Sequence, residues 1–285
     1  MESNDLRIFK EVAVEGTVTR AAEKMGYVQS NITARIRVLE RELGIKLFFR
    51  KHKMILSPAG EKLLPYAQQV TKLLDEAKYV FDRENELCGR LAIGGYNSVS
   101  VLDLPRLFAV IHKKYPQIDL SFFMEPSAVL IDKILNFKLD GAFIVEYAFN
   151  SNILIKEWSR KQELVIIAPE HVKCQEEIYK MPFLMYTTLC YKRVLLEKFL
   201  NFKGIFNVRY MEFNDPNAII DGVEAGLGVS FLEKQMVINR EKQGKLKIFT
   251  VPKQFSEINT CFVRAKNIPL SPIVKQFINV LKHYG

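Results

Sequence analysis

The sequence predicts an α+β, two-domain fold: a mainly α N-terminal winged helix-turn-helix, a long linker helix and a C-terminal α/β half. Three observations carry this expectation. Apolar residues recur at helical spacing through the first part of the chain. After Gly89 the texture changes to short apolar runs that alternate with helical stretches. A length of 285 residues suits two domains, and 48% hydrophobic content is enough to fill two cores.

In the head, Leu6, Phe9, Val12 and Ala13 form one apolar stripe, with Ser3 or Asn4 as its cap. Gly16 breaks this helix. Thr17 caps the next, which buries Ala21, Ala22 and Met25. Gly26 turns the chain. The third helix opens at Gln29, directs Ile32, Ile36 and Leu39 inward and ends at Gly44 by the left-handed route. Two apolar arms then flank a basic tip, Arg50-Lys51-His52-Lys53, which reads as a short two-stranded wing.

Ser57 as cap and Pro58 at the first helical position start the linker helix, which is expected to run to about Leu87. Leu63, Ala67, Val70, Leu74, Ala77 and Phe81 alternate steps of four and three along it. That heptad seam suits pairing with another helix. Such a helix is about 45 Å long. Pro65 removes one backbone bond and predicts a kink or loosened first turns.

Beyond Gly89, strands are expected at 91–94, 118–124, 142–145, 163–168, 183–186, 209–213, 229–232, 246–251 and 260–264. Helices are expected at 104–115, 128–137, 191–201, 216–225 and 271–282. The alternation implies mainly parallel sheets with crossover helices.

The chemistry is concentrated in the third helix. The second helix of a helix-turn-helix lies in the major groove with its N-terminal residues against base edges. Gln29, Ser30, Asn31, Thr33 and Arg35 carry the donors and acceptors that task needs, and Arg37 adds a cation on the same helix. A polar helical face is ordinarily just solvated. The neighbouring wing and the preceding Ala-Ala helix reverse that expectation. Arg50, Lys51, His52 and Lys53 would reach phosphates or the adjacent minor groove. Thr19 and Arg20, with the helix N-terminus behind them, could hold a backbone phosphate. The net charge of +9 agrees with an acidic partner.

Other chemistries find little support. Cys88, Cys174, Cys190 and Cys261 are scattered and fit free thiols, a redox pair being the competing reading. His112, His171 and His283 are isolated, so no metal site is expected. Gly226-Leu227-Gly228 lacks the full dinucleotide signature, and no nucleophile elbow is present. We therefore expect no enzyme and no cofactor. The acidic N-terminus does not resemble a signal peptide and no long apolar run occurs, so cytoplasmic localisation without membrane contact is expected.

The head resembles the N-terminal domain of LysR-type transcriptional regulators. The residues that carry this are Phe9, the run from Gly16 to Met25, Gln29, Ser30, Thr33, Ile36, Leu39, Glu40, Leu43, Gly44, Leu47, Phe48, Arg50 and the Ser57-Pro58-Ala59-Gly60 turn. The resemblance continues through Gly89–Gly94, Tyr115-Pro116, Leu139–Ala142 and Val223–Ser230. Two residues depart from the pattern. Val28 stands where the family usually has a capping Ser or Thr, and Arg35 where it often has Gln.

The resemblance implies three segments: residues 1–57 as DNA-binding domain, 58–88 as linker and dimerisation helix, and 89–285 as effector-binding domain. It further implies two Rossmann-like subdomains of the type 2 periplasmic-binding-protein kind, 89–166 with 266–285 and 167–265. The chain would cross between them near Ile166–Pro169 and Phe262–Lys266. A small-molecule effector would lie in the cleft. The positions implied for it are Asn97, Ser98, Val99 and Ser100; Glu125, Pro126 and Ser127; Tyr186, Thr187 and Thr188; and Asn214 and Asp215. As single residues these also fit plain turns and caps. The implied partners are double-stranded DNA carrying an interrupted inverted repeat, a second copy of the chain in a homodimer or homotetramer, and RNA polymerase. Two rivals are an architectural DNA-binding protein with an inert C-terminal half and an enzyme with a winged-helix appendage.

Overall fold

Helices α1 (Ser3–Glu15), α2 (Val18–Met25) and α3 (Gln29–Leu43) open the chain, followed by the hairpin β1 (Phe48–Arg50) and β2 (Met54–Leu56) and the long α4 (Pro58–Tyr79). The structure is a computed structural model and describes residues 1–50, 53–79, 87–96, 104–186 and 191–284. The chain divides into two units, Met1–Leu87 and Cys88–Gly285.

In the first unit the turns follow from backbone chemistry. Gly26 adopts φ 69° with open space around its α-carbon, so conformation rather than crowding requires glycine there. Thr17 Oγ1 accepts from the Arg20 N–H at 3.3 Å, as the capping reading expects. The start of α1 differs from expectation. Glu2 holds the cap position, and its N–H donates to the Asp5 carboxylate at 3.3 Å, so neither Ser3 nor Asn4 is the cap. Leu6, Phe9, Val12, Ala21, Ala22, Ile32, Ile36 and Leu39 pack with Leu47 and Phe48 into one core. Each large apolar side chain buried there contributes about 1.5–3 kcal/mol. The hairpin pairs Phe48 with Leu56 and Arg50 with Met54, and the Met54 N–H donates to the Gly16 carbonyl at 2.9 Å, tying the wing to the turn between α1 and α2.

The linker helix is continuous through Pro65. Ser57 Oγ accepts from the Gly60 N–H at 3.1 Å and donates to the Lys46 carbonyl at 2.6 Å. Glycine is needed at position 60 for steric reasons: a β-carbon there would stand 2.2 Å from the Leu47 carbonyl oxygen. Of the six seam positions, Ala67 is buried in the head's own core and Leu63 packs against it. Val70, Leu74 and Ala77 are exposed, as are Tyr66 and Leu73, while Phe81 lies outside the described residues.

The second unit contains β3 (Gly89–Gly95), α5 (Leu104–Lys114), β4 (Ile118–Met124), α6 (Ser127–Leu135), β5 (Gly141–Val145), β6 (Leu154–Pro169), α7 (Gln175–Ile178), β7 (Phe183–Tyr186) and α8 (Tyr191–Phe202). It continues with β8 (Tyr210–Phe213), α9 (Pro216–Glu224), β9 (Val229–Glu233), α10 (Lys234–Lys242), β10 (Leu246–Thr250), α11 (Lys253–Ser256), β11 (Glu257–Ala265) and α12 (Pro272–Tyr284). Among the described residues the strands run in the order β4-β3-β5-β11-β6-β9-β7-β8, with β10 also on β6. The outer pairs β3–β4, β3–β5, β7–β8 and β7–β9 are parallel. The centre is not. There β6 runs antiparallel to β11, β9 and β10.

Strand β6 joins the two halves. Its residues 154–163 pair with β11, and from Leu164 it pairs with β9 and β10. On β11, pairing to β5 begins at Thr260. These points fall a few residues ahead of the segments where the crossings were expected, Ile166–Pro169 and Phe262–Lys266. Strand β6 itself begins at Leu154, nine residues before the expected strand at 163. One apolar cluster gathers Leu164, Ile166, Phe183, Phe199, Phe231 and Ile258, and another gathers Val165, Ile167, Leu184, Ile219 and Leu232. Successive β6 residues thus serve opposite faces, as a pleated strand requires.

Candidate nucleic-acid interface and effector cleft

Helix α3 begins with no side-chain cap: Val28 is extended, with φ −81° and ψ 146°, and its apolar side chain is exposed. Gln29, Ser30 and Asn31 are exposed in the first turn, Thr33 is half-buried one turn on, and Arg37 is exposed. Thr19 and Arg20 are exposed in the first turn of α2. Lys53 is exposed at the start of the return arm of the hairpin. Arg50 ends β1, and Lys51 and His52 lie outside the described residues.

Arg35 is placed differently from its neighbours. Its guanidinium donates to Glu2 at 3.1 Å and to Asp5 at 3.3 Å, and Asp5 is buried. The side chain therefore fastens α3 to the start of α1.

Two anchoring groups were not recognised from sequence as functional. Glu40 is buried near the end of α3. Its Oε1 accepts from the Leu47 N–H at 2.9 Å and the Phe48 N–H at 3.4 Å, and its Oε2 from Lys46 Nζ at 2.9 Å. Burial pushes the carboxyl up, but the Lys46 ammonium and the two amides together outweigh it and hold the group below its usual range. Arg7 on α1 donates to both oxygens of Asp75 on α4, at 3.0 and 2.5 Å. Two-point contact fixes orientation as well as distance.

In the second unit, the expected cleft positions behave individually. Asn97, Ser98, Val99 and Ser100, with Thr187 and Thr188, lie outside the described residues. The Glu125 N–H donates to Gly95, and its carboxylate accepts from Lys133 at 2.9 Å. Pro126 precedes α6, and Ser127 Oγ accepts from the Val145 N–H at 3.3 Å. Asp215 caps α9, accepting from the Ala218 N–H at 2.8 Å, while Asn214 is exposed. Tyr186 is buried at the end of β7, with Lys192 Nζ 4.7 Å from its ring centre.

Around the seam between the halves, Tyr96 and Thr260 share a hydroxyl hydrogen bond. Glu146 accepts from Lys156 at 2.5 Å and from Asn259 at 2.6 Å, which hold its carboxyl below the usual range. Tyr147 stacks on Tyr191 with ring centres 4.6 Å apart. Gln162, Lys192 and Glu233 are buried there, and sequence reasoning named none of them. An isolated Gln in a charged run carries no signal of burial.

Among the described residues no cluster of ligands that could hold a metal occurs, and no helix is long and apolar enough to cross a membrane. Burial pushes the Cys261 thiol up to about 12, which suits packing and disfavours a reactive thiolate.

Comparison with known proteins agrees with this geometry. Residues 3–61 match the model for the bacterial regulatory helix-turn-helix protein, lysR family, and residues 84–285 match the LysR substrate binding domain. An uncharacterised HTH-type transcriptional regulator of Bacillus subtilis, YusT, is 39% identical, with 98% of this chain and 95% of the relative covered. The regulator SoxR of Arthrobacter is 36% identical over 99% of this chain and 97% of its own. Among solved structures, a full-length single-substitution variant of OxyR from Pseudomonas aeruginosa superposes with a TM-score of 0.77 at 20% identity, covering 99% of this chain and 95% of that one. CbnR complexed with its target DNA gives 0.64 at 17% identity, with both chains fully covered. The chain belongs to the LysR family of DNA-binding transcriptional regulators, with a helix-turn-helix head and a C-terminal substrate-binding domain.

Proposed function

We propose that this regulator pairs through the exposed face of α4 and reads the two halves of an interrupted inverted repeat. In this reading Gln29, Ser30, Asn31 and Thr33 address base edges. Arg37, Thr19, Arg20 and the wing cations address phosphates. Arg35 holds α3 against α1. A small molecule enclosed between the two halves of the second unit changes the affinity or geometry of DNA binding.

The observation that carries the reading is the polar first turn of α3, exposed on a helix whose opposite face is locked into the core by Ile32, Ile36 and Leu39. A rigid helix that presents hydrogen-bonding groups at its N-terminus is what groove recognition needs. The substrate-binding match over the second unit supports the ligand-responsive part. CbnR, which shares this fold, has been solved on its target DNA, and that supports the DNA-reading part.

Footprinting of full-length protein on upstream DNA fragments tests this. Two protected patches in symmetric sequence, with spacing or extent that changes when the ligand is added, are expected. A single unpaired half-site would contradict the dimer, and footprints indifferent to every small molecule would contradict the sensor.

A further inference from the structure

Two buried side chains in the second unit keep hydrogen-bonding atoms without a protein partner among the described residues. Gln162 is 6% exposed, and both its Nε2 and its Oε1 are unpaired. Glu233 is 1% exposed. Its Oε2 accepts from Lys192 Nζ at 2.9 Å, while its Oε1 accepts nothing. A buried polar group left unpaired is destabilising, because it loses water and gains nothing in return.

The two side chains share one face of the sheet. Gln162 and Leu164 are two residues apart on β6, and Leu164 is register-paired with Glu233 on β9. Gln162 is register-paired with Ile258, and Thr260, two residues further on, is bonded to Tyr96. This is where β6 changes partner from β11 to β9, the seam between the two halves. Lys192, in the first turn of α8, connects the cluster to the Tyr186 ring.

We propose that Gln162 and Glu233, braced by Lys192, form the polar floor of a binding site for a small organic molecule that carries a protonated amine. The inference rests on the effector reading above and narrows its chemistry. The open atoms are two acceptor oxygens and one amide NH₂. An ammonium brings three donors and no acceptor, so it satisfies both oxygens. The Gln162 NH₂ is then left for a carbonyl or carboxylate oxygen of the same molecule. Lys192 pairs with Oε2 alone, so the open Oε1 calls for a donor, which an ammonium supplies, whereas an amine-free carboxylate would meet that oxygen with like charge.

Thermal unfolding and calorimetric titration of the full-length protein test the proposal. The probes are the common α-amino acids, short primary amines, and the matching acids that lack the amine. At least one amine is expected to bind and raise the melting temperature, its amine-free counterpart is not, and Gln162→Met should weaken that binding about tenfold or more. Independently of any ligand, Gln162→Met replaces an unpaired amide by an apolar chain of similar length. It should raise the melting temperature of the free protein by about 2–4 °C. A lower melting temperature for Gln162→Met, an amine set with no binder, or equal binding by wild type and variant would each overturn the site. Amine binding that depends on Gln162 but leaves DNA binding unchanged would keep the site and overturn the effector reading. A molecule that alters DNA binding while ignoring Gln162→Met would do the reverse.

Discussion

A single carboxylate, Glu40, joins α3 to the wing. It satisfies two backbone amides that would otherwise be buried unpaired, at Leu47 and Phe48. Glu40→Ala should cost about 1–3 kcal/mol of head stability, measured by thermal or urea unfolding. A neutral result would mean the wing is anchored by other contacts. The pH dependence has a definite sign. The folded group titrates below its unfolded value, so its contribution is fully present above about pH 4.5 and is lost as pH falls through the depressed folded value. Glu40→Gln should flatten that acid limb. None of this was legible in the sequence, where Glu40 was one member of a family pattern, because its partners are amides brought near only by the tertiary fold. Arg35 shows the same limit. Spacing places it on α3, as found, but spacing does not reveal that Glu2 and Asp5 hold its guanidinium.

Elements were more legible than contacts, and where they failed the cause is physical. Caps and turns depend on local chemistry, so Thr17, Gly26, Gly44 and Ser57 behave as expected. The first half of β6 was missed because Lys156, Glu157, Ser159, Arg160 and Lys161 give it little apolar character; pairing along β11 holds it extended. Helix α10 was missed for the same reason, since Val237 is its one buried residue. Two substitutions test the element-level account. Val28→Ser places a hydroxyl at an extended, uncapped position and should stabilise the head by about 1 kcal/mol, read as a higher melting temperature. An unchanged value would mean another group already serves the α3 amides. Gly60→Ala drives a methyl into the Leu47 carbonyl and should destabilise by about 1–3 kcal/mol. Full stability there would show that α4 can shift away from the Leu47 backbone at little cost.

At the scale of the molecule, the heptad pattern on α4 divides into buried and exposed positions that sequence alone does not separate. Leu63 and Ala67 are consumed by the head's core, while Tyr66, Val70, Leu73 and Leu74 remain exposed, and these are the residues that meet a second copy in the proposed pairing. A charge placed in that exposed set would be desolvated on pairing without a partner. Leu74→Glu should therefore shift sedimentation toward the monomer and weaken binding to two-half-site DNA far more than to a single half-site. A variant that stays oligomeric would place the pairing surface elsewhere. The two-unit organisation and the α/β character of the second unit were readable from the change of texture after Gly89. The antiparallel centre of the sheet and the buried polar cluster at its seam were not, since both arise from strand pairing between distant segments.

The most direct test of the account compares Gln29→Ala with Lys53→Ala on an operator and on single-base variants of it, across a salt series. Groove reading by α3 predicts that Gln29→Ala loses about 1–3 kcal/mol on the matched site and nothing where the contacted base is already changed. Lys53→Ala should weaken every sequence alike and lower the salt slope by about one. Equal losses for Gln29→Ala on all sequences would contradict the claim that α3 reads DNA.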